Sequence, residues 1–190
     1  MMIKAVVIGT SYGGMQALKT ILSDLPEDFS IPILIVQHLS PQSEDYLARY
    51  LNNLCKIVVK EAEEKEQIHT GYAYLAPPNY HMLIDKKGYI SLDVDVKVNY
   101  ARPSIDVLFE SAVDAFGSKV IGIILTGANS DGSKGLKRIK DYGGLTIVQD
   151  PNNSEADTMP KAAINLTQVD YILPLNEISN LLNQLVLGEK

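Results

Sequence analysis

Three side chains that together could carry out nucleophilic catalysis each follow an apolar run of the chain. Ser11, His38 and Asp131 come after the runs that span residues 5–9, 33–37 and 120–127. A serine hydroxyl, an imidazole and a carboxylate are the groups of a Ser-His-Asp triad, in which the imidazole takes the serine proton and the carboxylate orients the imidazole. The chemistry predicted for such a trio is hydrolysis of an ester or amide through an acyl-enzyme.

The elements that must position these side chains are predicted from hydrophobic periodicity. Short, nearly continuous aliphatic runs alternate with segments of helical period, which is typical of a doubly wound, mostly parallel α/β sheet with helices on both faces. The middle of the chain departs from this pattern, because residues 80–85 and 89–93 read as a β-hairpin joined at Lys86-Lys87-Gly88. In open α/β sheets the functional crevice lies outside the carboxyl ends of the strands, where residues distant in sequence meet.

Length and composition exclude several classes of protein. The chain has 190 residues, of which 46% are hydrophobic and 21% charged, and this predicts one domain over residues 1–190. The net charge of −6, with dispersed lysines and arginines, argues against nucleic acid as a partner. Cys55 is the single cysteine and no Cys/His cluster has zinc spacing, so we expect no disulfide, metal or small-molecule cofactor. With no signal or membrane-spanning segment apparent, we expect a cytoplasmic protein that does not insert into membranes.

The glycine-rich loop at residues 9–14 has several interpretations. A dinucleotide fingerprint needs glycine where Ser11 stands, and a phosphate-binding P-loop needs Lys and Ser/Thr where the chain has Met15-Gln16. The loop matches the Gly-x-Ser-x-Gly pattern of a nucleophile elbow, although the order of the triad differs from that of α/β-hydrolases. A turn of this kind lets a serine hydroxyl project into a cleft beside free helix-start N–H groups.

Each candidate also has a purely structural interpretation. Ser11 could cap the following helix, Asp131 could be an ordinary turn residue, and His38 could be a buried, hydrogen-bonded histidine. His69 and His81 are weaker candidates for the base, because one adjoins a charged stretch and the other lies in the predicted hairpin. The shared position of the three main candidates at strand ends favours the catalytic interpretation.

The sequence resembles the catalytic domain of the chemotaxis protein-glutamate methylesterases over nearly its whole length. Six ordered blocks carry the resemblance: residues 8–14, residues 36–38 with Pro41, residues 76–81, residues 102–109, residues 125–132, and residues 149–151 with Met159-Pro160. The resemblance implies that Ser11 is the nucleophile, His38 the general base and acid, and Asp131 the orienting carboxylate. It also implies that the N–H of Ala128 donates to the oxyanion, with Tyr12 and Gly13 lining the site.

The resemblance further implies a substrate and a partner. The substrate would be the γ-methyl ester of glutamate side chains on the cytoplasmic helices of methyl-accepting chemoreceptors, with methanol as the product. Deamidation of receptor glutamines would be a related activity, and no cofactor is implied. A triad competent for this reaction should place the Ser11 hydroxyl about 2.6 to 3.2 Å from one His38 nitrogen, or farther away when no substrate is bound, with the other nitrogen reaching Asp131.

The chain departs from the family pattern at four positions. Tyr12 stands where threonine is usual, and its ring is expected to narrow the cleft. Ala128 and Asn129 replace a methionine and a glycine, and asparagine is the least costly substitute if that glycine has positive φ. Thr158 replaces a further glycine. Arg102 has two interpretations of equal weight, since it could dock a receptor or pack its own loop.

Two other classes of function stay open at this point. One is a non-catalytic scaffold or receptor-binding module that keeps the fold, and the other is a small-ligand or nucleotide binder that uses the glycine-rich loop. Family members commonly carry an N-terminal receiver domain, whereas the catalytic domain here would begin at residue 3. We therefore expect no receiver domain and a cleft that is constitutively open.

Overall fold

The computed structural model describes residues 3–40 and 45–187. Its strands are β1 (Ala5–Thr10), β2 (Ile33–Gln37), β3 (Val58–Glu61), β4 (Tyr72–Leu75), β5 (His81–Ile84), β6 (Ile90–Asp93), β7 (Val120–Ile124), β8 (Leu145–Gln149) and β9 (Tyr171–Leu173). Its helices are α1 (Gly14–Ser23), α2 (Tyr46–Asn52), α3 (Ile105–Phe116), α4 (Ser133–Asp141), α5 (Thr158–Leu166) and α6 (Leu175–Leu187). The alternation of strands and helices confirms the predicted α/β class.

Seven of these strands form one parallel sheet in the order β3-β4-β2-β1-β7-β8-β9. Every residue of β1, β2 and β7 is buried, as expected for strands that are covered by helices on both faces. One face packs on α1, α2 and α6, and the other packs on α3, α4, α5 and the hairpin. The fold therefore is the doubly wound sheet predicted from the apolar runs.

The strand order places a crevice at the centre of the sheet. β2 pairs with one edge of β1, whereas β7 pairs with the other edge, so the chain leaves these neighbouring strands toward opposite sides. Such a reversal of strand order is where ligands bind in open α/β sheets. The loops that follow β1, β2 and β7 all open at this edge, and each carries one of the three predicted residues.

The hairpin predicted in the middle of the chain is present. β5 and β6 pair in antiparallel fashion from His81 opposite Asp93 to Ile84 opposite Ile90. The hairpin packs on α3 through buried Met82, Ile84 and Ile90. It thereby supports the helix whose first residues reach the crevice.

Helix α3 approaches β1 closely at a single glycine. A methyl group added to Gly9 would overlap Cγ2 of Ile105, the first residue of α3. Close packing of this kind leaves no room for a side chain at position 9. The contact sets the start of α3 directly over the end of β1.

Pro41, which belongs with residues 36–38 to one of the six sequence blocks, lies outside the described residues. Over the residues that are described, no helix combines the length and the hydropathy that a membrane span requires.

Candidate active site

The loops that carry Ser11, His38 and Asp131 are joined to one another by backbone hydrogen bonds. The N–H of Ser11 donates to the carbonyl of Thr126 at 3.0 Å, and the N–H of His38 donates to the carbonyl of Thr10 at 3.1 Å. These bonds continue the pairing of β1 with its two neighbours past the ends of the strands. The parallel register therefore brings the three predicted residues to one crevice.

Asp131 lies in a pocket of hydrogen-bond donors. Its side chain is fully buried, which rules out an ordinary exposed turn residue. The donors to its two oxygens are His38 Nε2 (2.9 Å), the Ile105 N–H (2.7 Å), the Ser104 hydroxyl (2.8 Å), Asn99 Nδ2 (2.9 Å) and the Asp106 N–H (3.3 Å). Three of these groups belong to the start of α3, where the helix dipole favours a negative charge.

The hydrogen bonds decide the charge state of Asp131. Burial alone raises the pKa of this carboxyl group, but the hydrogen bonds from His38, Asn99 and the Ile105 N–H outweigh burial, so the net pKa is below its usual value. The carboxylate is therefore ionised at neutral pH. An ionised partner at 2.9 Å is what an imidazole needs if it is to carry a transient positive charge.

His38 bonds through both ring nitrogens. Nε2 lies 2.9 Å from Oδ2 of Asp131, and Nδ1 lies 3.1 Å from the side-chain nitrogen of Asn129. The side chain is 13% exposed, so one edge still faces the crevice. In the Ser-His-Asp triad of serine proteases, Nδ1 of the histidine faces the carboxylate and Nε2 faces the serine. Here Nε2 faces the carboxylate, so the two ring nitrogens have the opposite roles.

Ser11 stands at the junction of two clefts. A cleft of about 390 Å³ is lined by Ser11, His38, Asn99, Tyr100 and Asn129, among others. A larger cleft of about 560 Å³ lies on the other side of Ser11, between the start of α1 and helix α2. The serine is half-buried, and in the described part of the chain its hydroxyl has no hydrogen-bond partner. The contact of 2.6 to 3.2 Å expected between this hydroxyl and His38 is absent from the structure, in which Nδ1 of His38 contacts the side chain of Asn129.

The capping interpretation of Ser11 is wrong. Helix α1 begins at Gly14, its N-cap residue is Gly13, and no side chain caps it. Ser11 contributes only its carbonyl to this turn, which accepts from the Gly14 N–H at 3.0 Å. Its hydroxyl is therefore not used by the fold.

The three residues predicted to bind the oxyanion or line the site have different environments. Gly13 has φ +80° and lines the larger cleft, and a Cβ there would lie 2.7 Å from a carboxylate oxygen of Glu155. Ala128 is exposed on the loop before Asp131. No acceptor within residues 3–40 and 45–187 takes the backbone N–H of Gly13, Tyr12 or Ala128. Free N–H groups beside a nucleophile are the donors an oxyanion requires.

The ring of Tyr12 does not narrow the cleft. It is 62% exposed and is not among the residues that line either cleft beside Ser11. Its carbonyl instead accepts a hydrogen bond from the Thr126 hydroxyl at 2.9 Å. The backbone of Tyr12 is thus fixed at the site while the side chain points away, which corrects the sequence expectation.

Asn129 also differs from expectation. Its φ is not positive, so it does not substitute for a left-handed glycine. Its side chain is engaged at both ends, since Oδ1 accepts the N–H of Asp131 at 3.0 Å and Nδ2 contacts His38. Asn129 therefore contributes to the site through its side chain, which contacts both His38 and the loop of Asp131.

Sequence reasoning missed the residues that hold Asp131. Asn99 and Ser104 are polar residues of the segment before α3, and no strand end or motif identified them as ligands of a carboxylate. Asp106 is a second buried carboxylate, bonded to the Gly135 N–H (2.7 Å) and to Asn99 (2.8 Å). Burial raises its pKa, an effect that the Gly135 hydrogen bond opposes and the charge of Asp131 increases.

The remaining candidates have structural contacts. His81 is buried, accepts the Ser104 N–H at Nδ1 (3.1 Å) and contacts the Val96 carbonyl through Nε2. Arg102 donates to the side chain of Asn79 and to the carbonyls of Val94 and Asp95, which favours the loop-packing interpretation. His69 packs edge-on against Tyr72, away from the crevice.

The fold and the site together define a class of protein. A doubly wound parallel sheet carries a buried aspartate paired with a histidine, and a serine whose hydroxyl has no partner in the described residues, at the carboxyl edge where open α/β sheets hold their functional residues. The family model for CheB methylesterase matches residues 6–182. The chain belongs to the CheB methylesterase family, as the six sequence blocks predicted.

Individual relatives agree with this assignment. The chain is 54% identical over 178 residues to a Leptospira interrogans protein provisionally named protein-glutamate methylesterase/protein-glutamine glutaminase, covering 94% of this chain and 92% of that one. It is 38% identical to the Thermotoga maritima protein of the same name, covering 96% of this chain but 54% of the longer relative. The crystal structure of the Thermotoga maritima CheB methylesterase catalytic domain superposes with a TM-score of 0.93 at 37% identity, covering 97% of this chain and all of that one.

Proposed function

We propose that this protein hydrolyses the γ-methyl esters of glutamate side chains on chemoreceptors, with Ser11 as nucleophile. The observation that carries the proposal is the 2.9 Å contact between His38 and the fully buried Asp131, in the crevice where the Ser11 hydroxyl is unengaged. Membership of the CheB methylesterase family and the names of its relatives support the substrate. Apart from the ester and water, the proposed reaction uses only groups of this chain.

The first half of the reaction forms an acyl-enzyme. Nε2 of His38 donates to Asp131, so Nδ1 is the nitrogen that takes the Ser11 proton as Oγ bonds to the ester carbon. The carbonyl oxygen becomes an anion and accepts hydrogen bonds from the N–H groups of the loops at Gly13 and Ala128. The bond from carbon to methoxide then breaks, and the proton on Nδ1 passes to methoxide to give methanol.

The second half regenerates the enzyme. Nδ1 takes a proton from water as the hydroxide bonds to the acyl carbon, and the bond to Ser11 Oγ breaks with return of that proton to the serine. The glutamic acid side chain that results leaves the site and gives its remaining proton to solvent, so it becomes a carboxylate. Asp131 holds the imidazole orientation and balances its charge in both halves.

Glutamine deamidation is a second activity of the same site. It differs only in the leaving group, because ammonia departs in place of methanol while the acyl-enzyme is identical. The relatives named protein-glutamate methylesterase/protein-glutamine glutaminase favour this addition. An assay that follows both methanol and ammonia measures the two activities together.

A receptor helix is the proposed partner. The larger cleft next to Ser11 has exposed Met15 and Tyr46 at its edge, and Tyr46 stacks on Tyr50 with ring centroids 5.9 Å apart. Exposed apolar side chains of this kind suit the apolar residues that flank a modified glutamate on an amphipathic helix. We propose that the helix lies along this cleft with its ester directed at Ser11.

The test is methanol release from methylated receptor fragments. We expect release by the wild type, loss of release by Ser11→Ala, and unchanged release by Ser130→Ala, which removes a neighbouring exposed serine hydroxyl. Equal rates for wild type and Ser11→Ala would refute the assigned nucleophile. A folded wild type that binds the fragments without releasing methanol would instead support the scaffold alternative.

A further inference from the structure

The side-chain amide of Asn129 lies between the backbone of Asp131 and the imidazole ring of His38. Its oxygen accepts the backbone N–H of Asp131 at 3.0 Å, and its nitrogen lies 3.1 Å from Nδ1 of His38. No step of the proposed reaction uses this amide. Its contact is nevertheless with the ring nitrogen on which the reaction depends.

The direction of these hydrogen bonds follows from the donors and acceptors present. The backbone N–H of Asp131 can only donate, so it must face the amide oxygen, and the amide NH₂ must therefore face His38. The NH₂ group can only donate, so Nδ1 is the unprotonated nitrogen of a neutral ring. The proton of the ring is then on Nε2, from which it is donated to Asp131.

This chain of bonds has two opposite consequences for catalysis. It selects the tautomer in which Nδ1 has a free electron pair, which is the form that can take a proton from Ser11. It also places an amide proton on that same electron pair, and a carboxamide cannot transfer its proton to the substrate. Ser11 and Asn129 thus compete for one acceptor, in agreement with the Ser11 hydroxyl being without a partner in the described residues.

The position of Asn129 connects this competition to the substrate. Asn129 is half-buried and lines the cleft that also contains Ser11 and His38. We propose, on the basis of the proposed function, that Asn129 caps the base of the resting enzyme: it holds His38 in the reactive tautomer and is displaced from Nδ1 when the ester enters the cleft. Asn129 acts through His38 and is therefore a positioning residue.

The test compares the rate at which a small fluorophosphonate labels Ser11. In this reaction Oγ bonds to phosphorus, fluoride leaves, and His38 takes the serine proton, so the rate reports the availability of Nδ1. Asn129→Gly removes the cap, so its Ser11 should be labelled faster than Ser11 of the wild type. The expected increase in rate is roughly two- to tenfold, which corresponds to the free energy of one neutral hydrogen bond. Asn129→Ser should also label faster, because its hydroxyl can still accept the Asp131 N–H but is too short to reach the ring.

Two further variants make the comparison specific. Asn129→Asp keeps an oxygen for the Asp131 N–H but has no NH₂ to donate, and its second oxygen would hold a proton on Nδ1, so labelling at neutral pH should be slower than wild type. Ser130→Ala, on the adjacent exposed side chain, should label at the wild-type rate. A purely structural role for Asn129 predicts slower labelling in every Asn129 variant, and that result would overturn the proposal.

Nitrogen-15 NMR of the histidine ring gives a readout that does not depend on activity. In the wild type, the His38 signals should be those of a protonated Nε2 and of an unprotonated Nδ1 whose chemical shift is altered by a hydrogen bond. In Asn129→Ser, the Nδ1 signal should move toward the chemical shift of a ring nitrogen without a hydrogen bond. A protonated Nδ1 in the wild type, or an Nδ1 signal that is the same in Asn129→Ser, would overturn the proposal that Asn129 caps His38. Failure of the wild type to label at Ser11 would refute the proposed function itself, and the cap with it.

Discussion

The backbone N–H of Ile105 lies 2.7 Å from Oδ2 of Asp131, so the first residue of α3 is a direct ligand of the carboxylate in the loop after β7. The neighbouring hydroxyl of Ser104 donates to the other oxygen at 2.8 Å. Ser104 is the N-cap residue of α3, yet its hydroxyl serves Asp131 rather than the helix. A helix start thus both orients and stabilises the charge that His38 contacts.

Replacement of this carboxylate by an amide should reduce the rate strongly. In Asp131→Asn the new NH₂ group faces the donors of Asn99 or Ser104, and a neutral oxygen cannot balance an imidazolium. We expect methanol release to fall by roughly 10⁴-fold, which is the loss known for the corresponding change in a serine protease with a Ser-His-Asp triad. The check is steady-state methanol release, with thermal unfolding of the variant as control. A loss below tenfold in a folded variant would contradict the role of Asp131.

The same carboxylate should make stability depend on pH. The pKa of Asp131 is lower in the folded chain than the value of about 4 in an unfolded one, so its stabilisation is present above about pH 4 and is lost as the pH falls through the folded-state value. We expect the free energy of unfolding to decline more steeply from pH 6 to pH 3 for wild type than for Asp131→Asn. Urea denaturation at several pH values measures this difference. Asp106 has the opposite sign, because its raised pKa favours the fold at low pH, and this effect is smaller in Asp131→Asn because the charge of Asp131 contributes to the rise.

Removal of the amide that joins the two buried carboxylates should destabilise the site. Asn99 donates to Asp131 (2.9 Å) and Asp106 (2.8 Å) and has φ +51°. Asn99→Gly tolerates that backbone conformation, so it isolates the loss of the amide. Hydrogen bonds to charged groups contribute about 1.5 to 3 kcal/mol, and we expect a stability loss of this order together with slower methanol release.

The matched control is Asn79→Gly, a second asparagine with positive φ, which contacts Arg102 rather than the carboxylates. It should leave the rate of methanol release near that of wild type. If Asn99→Gly and Asn79→Gly had equal rates, the bridging amide would have no part in positioning Asp131.

The sequence was sufficient to predict the parts of this molecule that depend on pattern. The buried strands, the hairpin and the shared edge followed from apolar runs and turn residues, because parallel strands buried on both faces have few polar positions. The contact between His38 and Asp131 was expected because both residues follow strands, and in the structure those two strands lie on either side of β1.

The contacts made by loops could not be predicted in this way. Asn99 reaches Asp131 across 32 positions of sequence through a left-handed turn, which no periodic pattern signals. Asn129 was noticed as a departure from its family, yet its contact with His38 depends on the direction of a side chain. Tyr12 was wrongly expected in the cleft for the same reason, since backbone position alone does not set where a ring points.

The single cysteine should be slow to react. Burial raises the pKa of the Cys55 thiol to about 11. The thiolate fraction at pH 8 is then roughly two orders of magnitude below that of an unfolded chain, and alkylation by iodoacetamide should be slower in the same proportion. Mass spectrometry of native and urea-unfolded protein measures the two rates. Methanol release should also survive alkylation, because Cys55 packs against the core beneath α2 and lines neither cleft beside Ser11.

The central claim is that Ser11 is made nucleophilic by His38, and mapping the site of covalent labelling tests it most directly. Wild type treated with a fluorophosphonate should gain one adduct per chain, located by peptide mass spectrometry on Ser11, and His38→Gln should gain almost none over the same time. An adduct on another serine, or labelling of Ser11 at the same rate without the imidazole, would contradict the account.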